Sequence, residues 1–594
     1  MDLRVKEGDY LILGTAIAKN QITFTFEAEK EDVCRIILIS KETQQREYVP
    51  VPEKYSLGSL RSVTVIGVNP QEYQYLYEIN GVEQIDPYAR VITGREVWND
   101  AEREVNGKIL CGGFLTDKFA WEDDRQPEIA KEQMVMYKLH VRGFSMADKS
   151  AGKAKGTFEA VRNRIPYFKE LGVTTLELMP VYEFEEMPFL KQMSKLPDYI
   201  KWKVHKTDII KPEISLKKKR INYWGYGEGN YYAVKASYAA KPQKASAEFK
   251  KLIKALHEND MECVMEIFFA KGCTPARILD VLRYWVKEYH VDGFHVMGES
   301  LPMGAIAGDA LLGRTKIFAE DFAGARNTRS YKNLYIYKTE YQNFARKMLN
   351  HYECDVRAFA NAQRKFGDTY GHVNYIATHN GFTLADLFMY NDKHNEENGE
   401  GNCDGTDYNL SNNYGVEGPT KKEYMNQIRR QRLRCAYMML LFAQGIPLIQ
   451  AGDEFGNTQS GNNNAYCQDN AVGWLNWSRF TQTAQDRELL KKLIDFRRES
   501  AAFCDENAWI SQLDQGRKNV GILYRGDVFV GYNFYSEEVR LTLPKLSVNK
   551  SDKKNWYLVM DSSLEQVILE EEQLLEEQKY VTLRPHSICL LKGV

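Results

Sequence analysis

The stretch VDGFHVMGES, Val291–Ser300, reads as a strand running to a tip. A reactive tip needs a nucleophile, an acid or base, or a metal ligand. This one offers His295, Met297 and Gly298, with Glu299 next in line. Glu299 would share a face with Met297 on a continuing strand, because side chains repeat every second residue. Gly298 argues that the strand ends first. A histidine at such a tip is more often packed than a ligand. No cluster has the spacing of a metal site, and no cofactor is called for. The chain also carries 36 Tyr among 12% aromatics. Tyrosine suits sugar or protein contacts, because its ring is flat and its hydroxyl stays wet. Completing ordinary cores is at least as good an account of most of them.

The elements that would carry such a tip fall into three stretches. QITFTFEAE, VCRIILIS and YQYLYEING alternate or cluster β-branched and aromatic residues between turns, as in a β-sandwich of about 100 residues. From about Trp509, VGILYR, DVFVGYNFY, VRLTLP, WYLVMD and HSICLLKG repeat that pattern. The middle alternates apolar strands with amphipathic helices. Met134–Val141 is a buried strand, a helix lies around Phe158–Leu171, and Val173–Val181 is the next strand. Helix Ala247–Glu258, strand ECVMEIFF, helix Pro275–Tyr289 and strand VDGFHV follow. Near-continuous apolar strands separated by helices imply a parallel sheet covered on both faces. Over some 350 residues this predicts a (β/α)8 barrel, class α/β, flanked by an N-terminal and a C-terminal β-sandwich. The divisions are 1–110, 111–500 and 501–594. The sixth barrel strand has no clear place.

The totals exclude several classes. Of 594 residues, 43% are hydrophobic and 27% charged, as in ordinary globular chains. A net charge of −2 gives no reason to expect nucleic acid or membrane as partner. The opening residues lack the apolar core of a signal peptide, and no window holds the ~18 apolar residues of a membrane span. Ten scattered cysteines without C-x-x-C spacing suit reduced thiols and a cytoplasmic location. Two charged stretches, the basic insertion Glu185–Arg220 and the acidic LEQVILEEEQLLEEQ, read first as solvated faces.

Several ordered stretches are too specific for composition. They are DPYAR (Asp86–Arg90), WEDDRQP (Trp121–Pro127), YKLHVRGFS (Tyr137–Ser145), NYWGYGEGNYYA (Asn222–Ala233) and HNGFTLADL (His379–Leu387). KHNEENGEGNCDGTDYNLSNNYGVEGPT (Lys393–Thr420), AGDEFGNTQSGNNNAYCQDN (Ala451–Asn470) and WLNW follow. Together they resemble the glycogen-debranching and isoamylase branch of the alpha-amylase superfamily of glycoside hydrolases, across roughly the whole chain. The resemblance implies a glucan-binding-like N-terminal sandwich and a catalytic barrel. The implied reaction is hydrolysis of α-1,6 branch points in glycogen or amylopectin, with retention.

Retention needs two carboxyl groups about 5–5.5 Å apart, one attacking the anomeric carbon and one protonating the leaving oxygen. This superfamily adds a third, stabilising carboxylate. The family's fourth strand resembles VDGFRFD and ends in the nucleophilic Asp. Here VDGFHVM puts Met297 in the nucleophile's place and His295 in that of the supporting Arg, while Asp292 matches a structural position. A thioether cannot form the glycosyl-enzyme ester. KIFAEDF retains the acid/base position as Glu320, and HNGFTLADL keeps His379 but puts Asn380 where the stabilising Asp belongs. On the third strand MEIFFAKG has Glu266, Ala270 and Lys271 where the family has Asp and then Asn-His, and the long loop that normally follows is nearly absent. Tyr137, Trp224, Tyr226 and Tyr231 match aromatic positions of the family's cleft.

Losing a covalent nucleophile removes rate on the order of several powers of ten. The resemblance with these replacements implies a non-catalytic relative that binds branched α-glucan, pairs with an active debranching enzyme, or both. The alternative is an active α-1,6-glucosidase using Glu320 with an unusual nucleophile. A third reading is a purely structural or regulatory partner.

Overall fold

The computed structural model describes residues 3–100, 110–187, 220–322, 333–364, 370–504, 507–546 and 554–594. At the N-terminus a five-stranded sheet containing Gln21–Glu27 and Leu60–Ile66 faces a six-stranded sheet containing Cys34–Ser40 and Tyr73–Ile79. Alternation fills the gap between them, with Phe24 and Phe26 meeting Ile36, Leu38, Tyr75 and Tyr77 in one buried cluster. All three stretches expected to be strands are strands.

Eight parallel strands close the barrel: β1 Met136–Leu139, β2 Thr175–Leu178, β3 Glu262–Phe269, β4 Gly293–Gly298, β5 Lys316–Ala319, β6 Leu334–Tyr337, β7 Gly371–Asn374 and β8 Ile446–Gln450. The fold is therefore a (β/α)8 barrel with β-rich flanks, as the alternation predicts. The unplaced sixth strand is the four-residue LYIY. The single helix expected around Phe158–Leu171 is two, Phe158–Asn163 and Ile165–Leu171. Pro166 has no N–H to continue the first helix and starts the second. Gly172 ends the second in the left-handed region, φ 88°.

WEDDRQP closes the N-terminal end of the barrel. Trp121 stacks on His290 at 3.8 Å between ring centres. Asp124 bonds His257 Nδ1 at 2.9 Å and His290 Nδ1 at 2.7 Å. Asp292 accepts from the Cys263 amide at 2.8 Å and bonds His257 Nε2 at 3.1 Å, so its role here is structural.

The last part is a six-stranded sheet running from Ala508–Asp514 to Ser587–Gly593, with a two-stranded sheet, Val539–Thr542 and Tyr580–Leu583, packed on it. The acidic run contains strand Ile568–Leu574, which lies at the sheet edge with its glutamates in solvent. Charged edge strands resist pairing with other chains. Of the basic insertion, residues 188–219 lie outside the described residues. At its margins Glu185 pairs with Arg95 at 3.1 Å and Arg220 with Glu400 at 3.0 Å.

Candidate functional site at the barrel mouth

Inside the barrel, beneath the strand tips, lies a buried ionic layer. The register sets Lys138 on β1 beside Glu177 on β2, and Glu266 on β3 beside His295 on β4. The Lys138 ammonium donates to Glu266 and stands 3.5 Å from Glu177. His295 Nδ1 is 2.9 Å from Glu177 and 3.3 Å from Glu266, and its ring stacks on Tyr337 at 4.1 Å. The Tyr337 hydroxyl donates to Glu177. Both carboxylates are fully buried. Burial opposes the charge of Glu266, yet the Lys138 ammonium and the His295 hydrogen bond hold its carboxyl well below the usual range. Burial likewise opposes a charged His295, but hydrogen bonds to Glu177 and Glu266 raise its pKa. Two carboxyl groups thus face an ammonium and an imidazole in a sealed layer. Each lone ion would cost several kcal/mol there.

Glu177, Glu266 and His295 bring ligand atoms within 4.8 Å of one another. Sequence spacing could not reveal that meeting. It does not make a metal centre, because Lys138 already supplies the cation between the carboxylates. His295 presents a donor rather than a lone pair to them.

Above this layer stand the residues of the mouth. Met297 packs into an apolar cluster with Trp224, Tyr226 and Phe268. Tyr226 donates its hydroxyl to Glu266, so His379 Nε2 must donate to the Tyr226 oxygen at 3.1 Å. Burial and the Lys138 charge push the pKa of His379 well down, leaving it a neutral imidazole. Trp224 meets His379 edge-on at 4.8 Å. The cavity bordered by Trp224, Thr378, His379 and Gln450 holds about 40 Å³. Small-molecule sites hold about 300–1,000 Å³. This space fits water rather than a sugar ring.

Glu320 follows β5 and is exposed. The β4–β5 ladder ends at the pair His295 and Phe318, with Met297 and Glu320 each two residues beyond it. Asn380 is exposed beyond β7, its carbonyl accepting from the Thr378 hydroxyl at 3.3 Å. Glu299 lies half-exposed, 3.8 Å from Lys271. Gly298 has φ +140°, and a Cβ there would meet the Phe269 carbonyl oxygen at 2.4 Å, so β4 must end on glycine. Only residues 270–274 join β3 to the next helix, Pro275–Tyr289.

Two of the expected aromatics lie elsewhere. Tyr137 is fully buried on the outer side of β1, donating to Glu454 at 2.7 Å and packing on Phe168. Alternation explains it, since the next residue, Lys138, takes the interior. Tyr231 is buried against Phe269, and its hydroxyl accepts from the Ala270 amide at 2.9 Å. Trp224, Tyr226 and His379 do gather at the mouth.

The two long loops beyond β7 and β8 fasten to each other through amides. Asn463 Nδ2 donates to Asn409 Oδ1 at 2.7 Å, and Asn395 Nδ2 to Asn463 Oδ1 at 2.8 Å. Asn398 and Asn464 both donate to Asp404, at 2.7 and 2.9 Å, and Gln468 donates to Asn398 at 2.7 Å. A Cβ on Gly405, φ +72°, would lie 2.2 Å from Asn463 Oδ1. The GNNNAYCQDN residues here build the rim itself. Asp469 closes it, accepting from Arg142 Nε and from the indoles of Trp98 and Trp474.

This whole-chain arrangement has known counterparts. The chain is 27% identical to "Isoamylase 3, chloroplastic" of Oryza sativa subsp. japonica, over 92% of this chain and 81% of the rice protein. It is 29% identical to "Glycogen operon protein GlgX homolog" of Haemophilus influenzae, over 74% of this chain and 75% of that one. Over most of its length the chain is thus similar to an isoamylase and to a glycogen operon protein. No family model matches it. The fold is that of a pullulanase from Bacillus acidopullulyticus, with TM-score 0.72 at 21% identity over 98% of this chain and 75% of the pullulanase. The catalytic module of the pneumococcal protein SpuA superposes with TM-score 0.72 at 18% identity, over 98% and 97%.

Proposed function

We propose that the protein is a catalytically silent debranching-enzyme relative of α-glucan metabolism. It binds branched α-glucan, glycogen or amylopectin, alone or together with an active debranching enzyme. The observation that carries this reading is the β4 tip, where Met297 stands in an apolar plug with Trp224, Tyr226 and Phe268. A covalent nucleophile there would need a carboxylate and an open space for the sugar. The exposed amide of Asn380 brings no charge to an oxocarbenium-like state. The names of the relatives, a glycogen operon protein and an isoamylase, support α-glucan as the ligand class. Ten free thiols support a reducing, cytoplasmic location. Among the described residues no helix is long and apolar enough to cross a membrane.

A second reading, an active α-1,6-glucosidase, draws on Glu320, which stands exposed at the end of β5 where an acid would serve. Reducing-end release from amylopectin, measured for the protein and for Glu320→Gln, separates the two. The silent reading expects the same background from both. Release that vanishes in the variant would establish the enzyme.

A further inference from the structure

An open cavity of about 780 Å³ lies away from the barrel mouth. It sits between helix Thr339–Leu349, the turn that follows, the loop at Tyr408 and the turn at Gln515 of the C-terminal sheet. Its volume falls within the roughly 300–1,000 Å³ of small-molecule sites. Three rings line it. Phe344 is half-buried, while Tyr352 and Tyr408 keep 41% and 59% of their surface exposed.

Exposed rings usually owe nothing to a ligand, but Tyr352 is held in place from several sides. Its hydroxyl donates to the Ser411 carbonyl at 2.9 Å. Its amide donates to the Lys347 carbonyl at 2.9 Å, and its carbonyl accepts from Lys518 Nζ at 3.1 Å. The preceding His351 takes the left-handed φ of 67°, which costs a non-glycine residue energy. Gln515 clamps the floor, accepting from the Val356 amide at 2.9 Å and donating to the Cys354 carbonyl at 2.8 Å. Fixing an aromatic ring in water costs side-chain entropy and gains no burial. A ligand that stacks on the ring recovers both by finding it already oriented.

The rim sets the chemistry. Glu353 and Asp355 offer carboxylate oxygens, and Lys347 an ammonium. One oxygen of Asp355 already caps helix Val356–Gln363 through the Arg357 and Ala358 amides, which fixes its direction. Glu353 and Asp355 are balanced by the ammonium groups of Lys347 and of Lys518 beside the Tyr352 carbonyl, so the site carries no net charge to recruit a phosphate. Flat rings with hydrogen-bonding groups around them suit a neutral polyol with an apolar face.

We propose that this cavity is a surface site for α-glucan, in which a linear run of glucose units stacks on Tyr352 and Tyr408 and its hydroxyls bond Glu353, Asp355 and Lys347. The inference rests on the glucan-binding reading above and places that binding away from the barrel mouth. Calorimetric titration with maltoheptaose tests it, using the full chain, Tyr408→Ala, Tyr408→Phe and Tyr352→Ala, each checked by thermal melting. Binding by the full chain, at least tenfold weaker in both alanine variants and retained in Tyr408→Phe, is the expected result. Binding that all variants keep would overturn this site and leave the glucan-binding reading standing. A full chain that binds no maltoheptaose would overturn this site, and retardation of the full chain by glycogen in a native gel would then decide the glucan-binding reading separately. Tyr408 is mostly exposed on a loop, so its alanine variant folds even if Tyr352→Ala does not.

Discussion

A single residue decides the electrostatics of this barrel. Lys138 lies on an otherwise apolar strand and neutralises two fully buried glutamates with the help of His295. Removing one member of a buried ionic set leaves an uncompensated charge, at a cost of about 3–5 kcal/mol. Lys138→Met should therefore lower unfolding free energy by about that amount in urea titration. Combining it with Glu177→Gln and Glu266→Gln should recover most of the loss, because the neutral set leaves no lone ion. Glu177 and Glu266 are thus held inside the barrel by Lys138 and His295.

At the scale of elements, His257 joins three of them. It ends helix Ala245–His257 and bonds Asp292 at the start of β4 and Asp124 of the segment closing the barrel. Burial opposes its charge, but hydrogen bonds and attraction from the two aspartates raise its pKa to about 9. An unfolded histidine titrates near 6.5. The folded state therefore holds its proton more tightly. The stability this adds is complete below about pH 6.5 and is lost as pH rises through about 9. Denaturation midpoints between pH 6 and 10 should fall over that window, and the fall should shrink in Asp124→Asn. The acidic partner segment WEDDRQP was legible as a motif, yet its purpose was not. Nothing in the sequence says that Asp124 meets histidines 133 and 166 positions away.

At the scale of the whole molecule, the barrel leans on the C-terminal sheets. Helix Glu423–Leu441 sends Gln431 to the His586 carbonyl at 3.1 Å and Arg434 to the Leu564 carbonyl at 2.8 Å. Arg364 donates to the Ala508 carbonyl at 3.0 Å. A chain cut before Ala508 should leave these donors and the buried Cys435 face uncovered, and light scattering should show it aggregating while the full chain melts in one transition. The three-part plan was readable because apolar alternation differs between sandwich and barrel strands. Met297 at the β4 tip was readable because that motif is local. Tyr137 pointed the wrong way because a four-residue strand gives no sign of which neighbour faces inward. The ionic layer needed five strands to assemble before Lys138, Glu177 and Glu266 could be seen as partners. One consequence concerns time. Asn380 is exposed and precedes Gly381, whose φ of +120° leaves the peptide nitrogen unhindered by any side chain. Such asparagines are the thermolabile ones, and slow loss of ammonia converts them to acids. Stored protein will drift toward Asn380→Asp without any mutation. Mass spectrometry of the peptide carrying Asn380 dates each preparation, and activity that grew with that age would belong to the aged chain rather than to the one encoded.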